Sequence, residues 1–307
     1  MVLTRSQVRN NMQGKMYRIR MFSNKLLLKK RLTHLRHVIR METGNTLMYD
    51  IDYLKRSNYH SRDKDIRFQE KGHIYYVKGR TGFTSVTKFV HGFSKPFDAD
   101  AVIAKMLESG KNKKYEGMSA DQIKALWNKN GLESRTMGTA MHFAIECYYN
   151  KVGKDSKKDG CLWDGLNKEC DQFEEFKMFA RNKGLTPYRS EWCVFHEELK
   201  ITGCVDMVFK NADGGYDIYD WKRTKDIKKN GFNMFEHKAL CAIPDSNYWQ
   251  YSLQLNMYKF ILESKYGLRI DNLRLVSFHP DQEKCIIHQV PNMNDVIIEL
   301  LEIEKMM

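Results

Sequence analysis

The sequence predicts an α/β (α+β) protein with a mixed central β-sheet that is flanked by helices and carries helical additions on its N-terminal side. The prediction depends on the order of the elements, because apolar residues recur mostly at helical spacing up to about residue 182 and short β-rich runs dominate after it. A chain of 307 residues with 42% hydrophobic and 12% aromatic residues can bury a core, which excludes intrinsic disorder as the overall state. The mean hydropathy of −0.60 and the lack of a long apolar run exclude a membrane-spanning protein.

The first elements expected along the chain are a hairpin and a series of helices. The β-forming residues of 73–77 favour a strand, the glycines of 79–82 favour a turn, and 83–86 is the expected return strand. Asp98 and Ser119 are expected to be the N-caps of two helices. The expected helices are 99–109, one that follows Ser119, 134–149 and 170–182.

The second half of the chain changes to strand periodicity. Two strands are expected over 191–196 and 201–210, and the Asn211-Ala-Asp-Gly-Gly215 run favours a tight turn because Gly, Asn and Asp accept positive φ. The remaining expected elements are a strand over 216–222, an amphipathic helix over 248–266, strands over 273–278 and 285–290, and a last helix after Asn294.

The net charge of +13 is concentrated at the start of the chain. Residues 1–41 contain 11 Lys and Arg and no acidic residue, which leaves 40 basic against 38 acidic residues in the rest. Residues 1–41 are therefore a basic leader, for which a DNA-binding arm, a targeting segment and a solvated tail or packed helix stay open. A polar connection is expected over 42–71 and one domain over 72–307, in which the lysine-rich helices of 97–131 are expected to roof the site.

The seven cysteines are irregularly spaced and include no C-x-x-C, which argues against a disulfide framework, a zinc ribbon and a cysteine-ligated iron–sulfur cluster. The start of the chain also lacks the apolar stretch of a secretory signal. We therefore expect an intracellular, reducing environment, and the nucleus, the mitochondrion and a viral factory in the host cytoplasm all stay open.

The Asp220-Trp221-Lys222 triplet is the first candidate for chemistry. Because strand residues i and i+2 point to one face, Asp220 and Lys222 should project together. A carboxylate suits a hard cation such as Mg²⁺, and an adjacent ammonium can orient or deprotonate an attacking water and offset negative charge. Such a triplet is more often an exposed ion pair, so the interpretation needs further support.

Asp206 provides that support. It lies in an apolar run that is expected to pair with the strand of Asp220 through the 211–215 turn, so the two carboxylates should come close enough to share a cation. Burial of a lone carboxylate is costly and requires a metal or a fixed donor. A structural aspartate that is satisfied by hydrogen bonds is the alternative.

Two helical motifs complete the pattern. His142 and Glu146 are four residues apart on a predicted helix and share a face, and both types of side chain can bind a metal. Gln254 and Tyr258 likewise share a face of the helix expected over 248–266. A core histidine and an ordinary amphipathic helix are the alternatives.

Together these motifs run in the order G-T-x-x-H-x-x-x-E, G-x-x-D, D-x-K and Q-x-x-x-Y. This order resembles that of the PD-(D/E)XK nuclease superfamily, and most closely the branch with the RecB nuclease domain, lambda-type exonucleases and the mitochondrial single-strand exonuclease. The chain is also similar to nucleases encoded by large DNA viruses. The resemblance covers about residues 72–290, is tightest over 138–263, and implies a restriction-endonuclease-like core.

The resemblance implies roles for individual residues. It implies metal binding by His142, Asp206, Asp220 and the backbone carbonyl of Trp221, with Lys222 as the catalytic lysine beside the two aspartates. It gives supporting positions to Glu146, Glu191, Gln254 and Tyr258, the last two of which also touch DNA in the family. The chain departs from the family pattern at Val205, where a proline would nominally precede Asp206, and no cysteine trio follows Tyr258, so no iron–sulfur cluster is expected.

Residues outside the four motifs are further expected DNA contacts. Ser85 and Thr87 can offer hydroxyl and N–H groups to a phosphate at a helix start, or the segment can supply a plain N-cap. Lys113 and Lys114 of the roof are expected on DNA phosphates, with a solvated helical face as the alternative. Thr139, which lies in the same motif as His142, is also an expected DNA contact.

The sequence therefore predicts a Mg²⁺- or Mn²⁺-dependent deoxyribonuclease, an exonuclease rather than an endonuclease, that acts in DNA replication, repair or recombination. Its expected partner is DNA, as a single strand or a duplex end, and not a membrane, and an oligomer is compatible with the sequence. A catalytically silent DNA-binding accessory of the same fold and an RNA-directed nuclease are the alternatives.

Overall fold

The computed structural model describes residues 51–109, 113–150 and 162–306, without the side chains of Lys113 and of residues 303–306. The basic leader 1–41, the start of the polar connection and the loop predicted after Tyr149 lie outside the described residues. The elements below belong to the unit Asp52–Met307, whose start lies before the domain boundary of 72 expected from the sequence.

The described residues form seven α-helices and ten strands. The helices are α1 (Tyr53–Ser57), α2 (Val86–His91), α3 (Ala99–Ser109), α4 (Ala120–Tyr149), α5 (Asn167–Asn182), α6 (Asn247–Tyr266) and α7 (Asn294–Met306). The strands are β1 (Ile66–Gln69), β2 (Ile74–Val77), β3 (Thr84–Ser85), β4 (Thr186–His196), β5 (Ile201–Lys210), β6 (Tyr216–Arg223), β7 (Asn233–Met234), β8 (Pro244–Asp245), β9 (Ile270–Phe278) and β10 (Ile286–Val290). None of the described helices is both long and apolar enough to cross a membrane.

A mixed six-stranded sheet forms the centre of the fold, as the sequence predicts. Its strands run in the order β10-β9-β6-β5, with β4 and the short β3 both paired to β5. Strands β6 and β9 are parallel, and a parallel pair needs a long crossover, which here contains α6. The other long pairings are antiparallel, including the predicted hairpin of β5 and β6 around the 211–215 turn.

Strand β6 is held by packing on two helices. Tyr219 and Trp221 pack their rings against Phe176 of α5 at centroid distances of 5.5 and 5.0 Å. Ile218 belongs instead to a largely aliphatic cluster that also contains the buried Leu255 of α6. Burial of large apolar side chains by both helices fixes the end of β6, where the chemistry-bearing residues lie.

The predicted hairpin between 73–77 and 83–86 is wrong. Strand β2 pairs with β1, which lies in the stretch expected to be a polar connection, and β3 pairs in parallel with β5. The ring of Phe68 in β1 packs against the rings of His73 and Tyr75, which supplies the apolar contact that favours this pairing. The glycine turn that follows β2 is closed by a bridge between Val77 and Arg80.

The two helices predicted to follow Ser119 and to span 134–149 are one helix, α4, of 30 residues. Ser119 caps it as predicted, because its hydroxyl accepts a hydrogen bond from the Gln122 amide at 3.3 Å and its own amide donates to Gln122 Oε1 at 2.8 Å. Gly131 does not break the helix, since an interior glycine costs only about 1 kcal/mol relative to alanine. The last part of the lysine-rich roof, residues 120–131, and His142 are therefore parts of one continuous helix.

A disulfide joins Cys193 and Cys204, which face each other in the β4–β5 ladder. The irregular cysteine spacing gave no sign of this bond, because only the register of the two strands brings these residues together. Disulfides are rare in reducing compartments, so the expected intracellular, reducing location stays a prediction.

Candidate active site

The candidate site lies where strands β5 and β6 separate. Their ladder ends at the pair Met207 and Tyr219. Beyond it the backbone N–H of Trp221 donates to Asp206 Oδ2 at 2.9 Å, so a carboxylate takes the place of a strand carbonyl. On this side of β5 the short strand β3 pairs with Ile201 and Thr202 instead of β6. The end of a ladder leaves room in which side chains from both strands can reach a common ligand.

Three carboxylates from neighbouring strands lie at this gap. Glu191 of β4 falls opposite Asp206 of β5, and the next position beyond the β5–β6 ladder sets Asp206 opposite Asp220. The side chains of Asp220, Asp206 and Glu191 are 3%, 12% and 29% exposed. Glu191 has a φ of +43°, a left-handed conformation that costs a non-glycine residue about 1–3 kcal/mol and is held in place by its surroundings.

His142 reaches the same gap from helix α4. Its Nδ1 lies 3.5 Å from Glu191 Oε1 and 3.6 Å from Asp206 Oδ2. Its Nε2 lies 2.9 Å from the carbonyl oxygen of Trp221, and because a carbonyl only accepts, Nε2 carries the hydrogen. The Trp221 carbonyl, predicted to bind a metal, is thus a hydrogen-bond acceptor of His142 in this structure.

Lys222 and Asp220 form an ion pair at the end of β6, in the arrangement that the i, i+2 spacing predicts. The Lys222 ammonium also lies 4.5 Å from the centre of the Tyr251 ring. Gln254 Nε2 donates to Asp220 Oδ1 at 3.3 Å. Asp220 Oδ2 is buried, and among the described residues the Lys222 ammonium is the group that contacts it.

Burial and the repulsion between neighbouring carboxylates change the pKa values in the site, so that its residues retain protons at neutral pH. Burial and the charge of Asp220 raise the pKa of Asp206 from 3.8 to about 7. Burial acts to lower the pKa of His142, but the carboxylates of Asp206 and Glu191 outweigh it and raise that pKa to about 9. Burial likewise opposes the charge of Lys222, yet Asp220 and Asp206 raise its pKa above the ordinary value. At neutral pH the carboxylates are therefore balanced by protons on His142 and Lys222.

These residues fit a divalent cation. One ligand atom each from His142, Glu191 and Asp206 lies within 4.8 Å of the others, a spacing that one ion can bridge. Carboxylate oxygens and one imidazole suit Mg²⁺ and Mn²⁺. The raised pKa of Asp206 shows that burial and the neighbouring charge of Asp220 are not fully offset there, and a bound cation would supply that offset.

Gly203 explains how Tyr258 approaches the site. A Cβ at Gly203 would lie 2.8 Å from Tyr258 Cε1 and 2.9 Å from its hydroxyl oxygen, so only glycine lets the phenol pack against β5 here. Burial raises the pKa of Tyr258 well above its ordinary value, although a hydrogen bond with Gln254 acts to lower it. Tyr258 is therefore a neutral buried phenol that packs on β5 at Gly203, three residues before Asp206.

Two tyrosines near the site were missed by the sequence analysis. Tyr251 precedes Gln254 by three residues on α6, so its helical spacing was a usable signal. Tyr75 belongs to β2, and its hydroxyl contacts Cys204 Sγ at 3.8 Å. Burial and the charge of Glu191 raise the pKa of Tyr75 to about 12. No signal was available for Tyr75, because the pairing of its strand was predicted incorrectly.

The other residues predicted on α4 lie beside the site rather than among its ligand atoms. Glu146 is half-buried one turn after His142, and it does not belong to the group of ligand atoms found in the described residues. Thr139 is exposed, and its hydroxyl donates to the carbonyl of Arg135 at 3.0 Å. Roles for both residues stay predictions.

The predicted phosphate contacts outside α4 stay predictions, and the structure shows only where these residues lie. The Ser85 hydroxyl accepts from the Lys88 amide at 3.1 Å, which is the plain N-cap that the sequence left open. Thr87 is exposed on the same six-residue helix. Lys114 is exposed, and the side chain of Lys113 lies outside the described residues.

Comparison with known proteins adds little to this geometry. No protein-family model and no curated protein matches the chain. A solved structure described as a candidate exonuclease from Eubacterium rectale is similar at a TM-score of 0.38 and 14% identity, over 86% of this chain and 84% of that chain. A structure of SSO0001 is similar at a TM-score of 0.23 and 13% identity, over 54% of this chain and 70% of that chain. Likenesses this distant carry no argument, so function is argued from the site.

Proposed function

We propose that the protein is a metal-dependent nuclease that hydrolyses phosphodiester bonds in DNA. The observation that carries the proposal is the group of ligand atoms from His142, Glu191 and Asp206, with the charge of Asp220 acting on Asp206 and Lys222 in contact with Asp220. Clustered carboxylates hold a hard cation, and a lysine beside them suits an anionic phosphate and its attacking water. The motif order that resembles PD-(D/E)XK nucleases supports the same function.

His142, Glu191, Asp206 and Asp220 would hold Mg²⁺ or Mn²⁺. The bound cation would supply Lewis-acid activation of the scissile phosphate. His142 binds a cation only as a neutral imidazole, and its pKa of about 9 means that it must first lose a proton. Loading of the site is therefore expected to release protons and to strengthen as the pH rises.

Lys222 would orient the attacking water and offset negative charge on the phosphate. The sequence left open whether this lysine orients or deprotonates the water. Because Asp220 and Asp206 raise the pKa of Lys222, the side chain is protonated at neutral pH and acts as a hydrogen-bond donor. Gln254 would keep Asp220 aligned through its hydrogen bond to Oδ1.

The proposed substrate is a DNA strand that lies along helix α4 towards the carboxylates. Thr139 and Arg135, one and two turns before His142 on the same face of α4, are both exposed. A hydroxyl and a guanidinium on this face suit phosphate contacts. Exonuclease rather than endonuclease action, and a role in replication, repair or recombination, are proposed from the resemblance of the motifs.

The proposal is tested by cleavage of end-labelled linear DNA, circular DNA and RNA in Mg²⁺ or Mn²⁺, with and without EDTA. Wild type should degrade linear DNA from its ends, and EDTA should stop the reaction. Lys222→Met should lower the rate by about 10³-fold. The matched control is Lys225→Met, since Lys225 forms an exposed ion pair with Asp281 just beyond β6 and should be dispensable. Cleavage that survives EDTA, or that Lys222→Met leaves unchanged, would contradict the proposal.

A further inference from the structure

We propose that Tyr251 is a positioning residue that holds Lys222 through a cation–π contact, an inference that rests on the proposed nuclease function. The Lys222 ammonium lies 4.5 Å from the centre of the Tyr251 ring, within the roughly 6 Å over which a ring face attracts a cation. The Lys222 side chain is only 17% exposed. A desolvated contact of this kind is stronger than one on the surface.

Helix α6 presents one residue to each part of the site. Tyr251, Gln254 and Tyr258 follow the i, i+3, i+7 spacing of a single helical face. Tyr251 contacts Lys222, Gln254 donates to Asp220, and Tyr258 packs on the glycine that precedes Asp206 by three residues. The Tyr251–Lys222 contact joins α6 to the site as the other two contacts do, although no motif of the sequence includes Tyr251.

An aromatic face solves a problem that Lys222 has with Asp220. The lysine stem is flexible, and its ammonium is paired with Asp220, the carboxylate that the proposed cation also requires. The face of an aromatic ring attracts positive charge through its π electrons and offers no lone pair that would accept a conventional hydrogen bond. Tyr251 can therefore hold the ammonium in place when the proposed cation takes up Asp220, and the N–H groups of Lys222 are then free to donate to water and phosphate.

A second lysine–tyrosine pair, whose tyrosine lies on the same helix, is a matched control. The Lys229 ammonium lies 4.9 Å from the centre of the Tyr248 ring, and the Tyr248 hydroxyl donates to the Gln289 carbonyl at 2.8 Å. Tyr248 lies three residues before Tyr251 and makes no contact with the carboxylate group among the contacts of the described residues. Loss of this second ring therefore reports the packing cost of removing a tyrosine from α6 without disturbing Lys222.

The contact itself is tested by NMR of the full chain with ¹³C-labelled lysine. A lysine above a ring has its Hε resonance shifted upfield by the ring current, and Lys222→Arg assigns the signal. The shift should persist in Tyr251→Phe, which keeps the ring, and disappear in Tyr251→Leu. Tyr248→Leu should remove the corresponding shift of Lys229 and leave that of Lys222. If Tyr251→Leu fails to fold, Tyr251→Gln, which also lacks a π face, replaces it.

The consequence for catalysis is tested by single-turnover cleavage with the same variants. Tyr251→Leu should lower kcat about tenfold or more with KM unchanged, and Tyr251→Phe should stay within about twofold of wild type. In a Lys222→Met background Tyr251→Leu should cause no further loss, because its effect acts through the lysine. A purely structural tyrosine would instead give additive losses.

The outcomes separate the two proposals. An upfield lysine signal that survives Tyr251→Leu, a Phe variant as impaired as the Leu variant, or additive losses in the Lys222→Met background would overturn the role of Tyr251. If wild type cleaves no nucleic acid in Mg²⁺ or Mn²⁺ while the ring-current shifts behave as expected, the nuclease proposal fails and the Tyr251–Lys222 contact stands.

Discussion

Asp217 and Asp220 lie three residues apart on strand β6 and are 3% and 2% exposed, yet their surroundings differ. Asp217 Oδ1 accepts hydrogen bonds from the side-chain amides of Asn211 and Asn272, each at 2.9 Å. Asp220 accepts one longer bond from Gln254 at Oδ1, and its Oδ2 is paired with the Lys222 ammonium. Burial is thus the same at the two ends of the strand, but Asp217 is held by two neutral amides, whereas Asp220 pairs with a cation beside a further carboxylate, Asp206.

Asp63 is a third buried aspartate, and like Asp217 it is satisfied by hydrogen-bond donors. It is 7% exposed and accepts from Arg189 Nη1 at 2.7 Å, Trp192 Nε1 at 2.9 Å and the His60 amide at 3.1 Å. Arg189 and Trp192 lie on either side of Glu191 in β4, and His60 lies three residues before Asp63. Asp63 therefore joins the segment before β1 to the sheet and needs no further ligand.

The largest expected effect separates the two ends of β6. Asp220→Asn should lower single-turnover cleavage by about 10³-fold, because an amide binds a divalent cation poorly. Asp217→Asn keeps an oxygen that can accept from both asparagines, so it should cost about 1–3 kcal/mol of stability and spare cleavage at temperatures where it is folded. Cleavage assays and urea denaturation of both variants measure the two quantities. Equal loss of cleavage in the two variants would show that burial of a carboxylate on β6, and not its pairing with Lys222, matters.

Breaking the Asp63 cluster should affect stability rather than chemistry. Asp63→Ala leaves the buried guanidinium of Arg189 without its carboxylate and should lower the free energy of unfolding by about 3–5 kcal/mol. The double variant Asp63→Ala with Arg189→Met is the control, since it leaves no buried charge and should regain part of that loss. Urea denaturation followed by far-UV circular dichroism measures both. A double variant less stable than Asp63→Ala would contradict the assignment of a satisfied structural pair.

His142 and Asp206 should make the folded state less stable as the pH rises, against the opposite effect of His60, His279 and His288, whose pKa values are lowered by burial. The pKa of His142 is about 9 in the fold against 6.5 for the free side chain, so its contribution is present below about pH 6.5 and is lost as the pH rises through 9. The pKa of Asp206 is about 7 against 3.8, so its contribution is present at low pH and is lost as the pH rises through 7. Metal-free protein should therefore become less stable from pH 5 to pH 9.

Urea denaturation in EDTA across pH 5–9 measures this loss. His142→Gln and Asp206→Asn should each flatten the profile, and Asp217→Asn should leave its shape unchanged. Added Mn²⁺ should raise stability most at the high-pH end, because the cation takes the place of protons there. A flat wild-type profile, or an equal effect of Mn²⁺ at pH 5 and pH 9, would contradict the assigned proton balance.

Local spacing predicted part of this site and could not have predicted the rest. The contact of Asp220 with Lys222 follows from the period of a strand, and the approach of Asp206 follows from a tight turn, so both are readable from the sequence. The position of Glu191 depends on the register of β4 and on a left-handed residue within it. The contact of His142 with the Trp221 carbonyl depends on where a 30-residue helix crosses the sheet. Register and crossing are set by packing of distant segments, and no short pattern encodes them.

The smallest expected effect compares a glycine at each end of the β5–β6 hairpin. A Cβ at Gly203 would press on the buried ring of Tyr258, so Gly203→Ala should cost about 1–3 kcal/mol and lower kcat by displacing the helix face that aligns Asp220. A Cβ at Gly215 would meet only the ends of the Asp271 and Arg269 side chains, which are partly or largely exposed and can move aside. Gly215→Ala displaces Asp271 from its hydrogen bond with Asn211, so it should cost about 0.5–1.5 kcal/mol and keep full cleavage. Thermal melts and single-turnover rates of the two variants decide this, and a Gly203→Ala protein with unchanged kcat would mean that Tyr258 supports the fold but not the site.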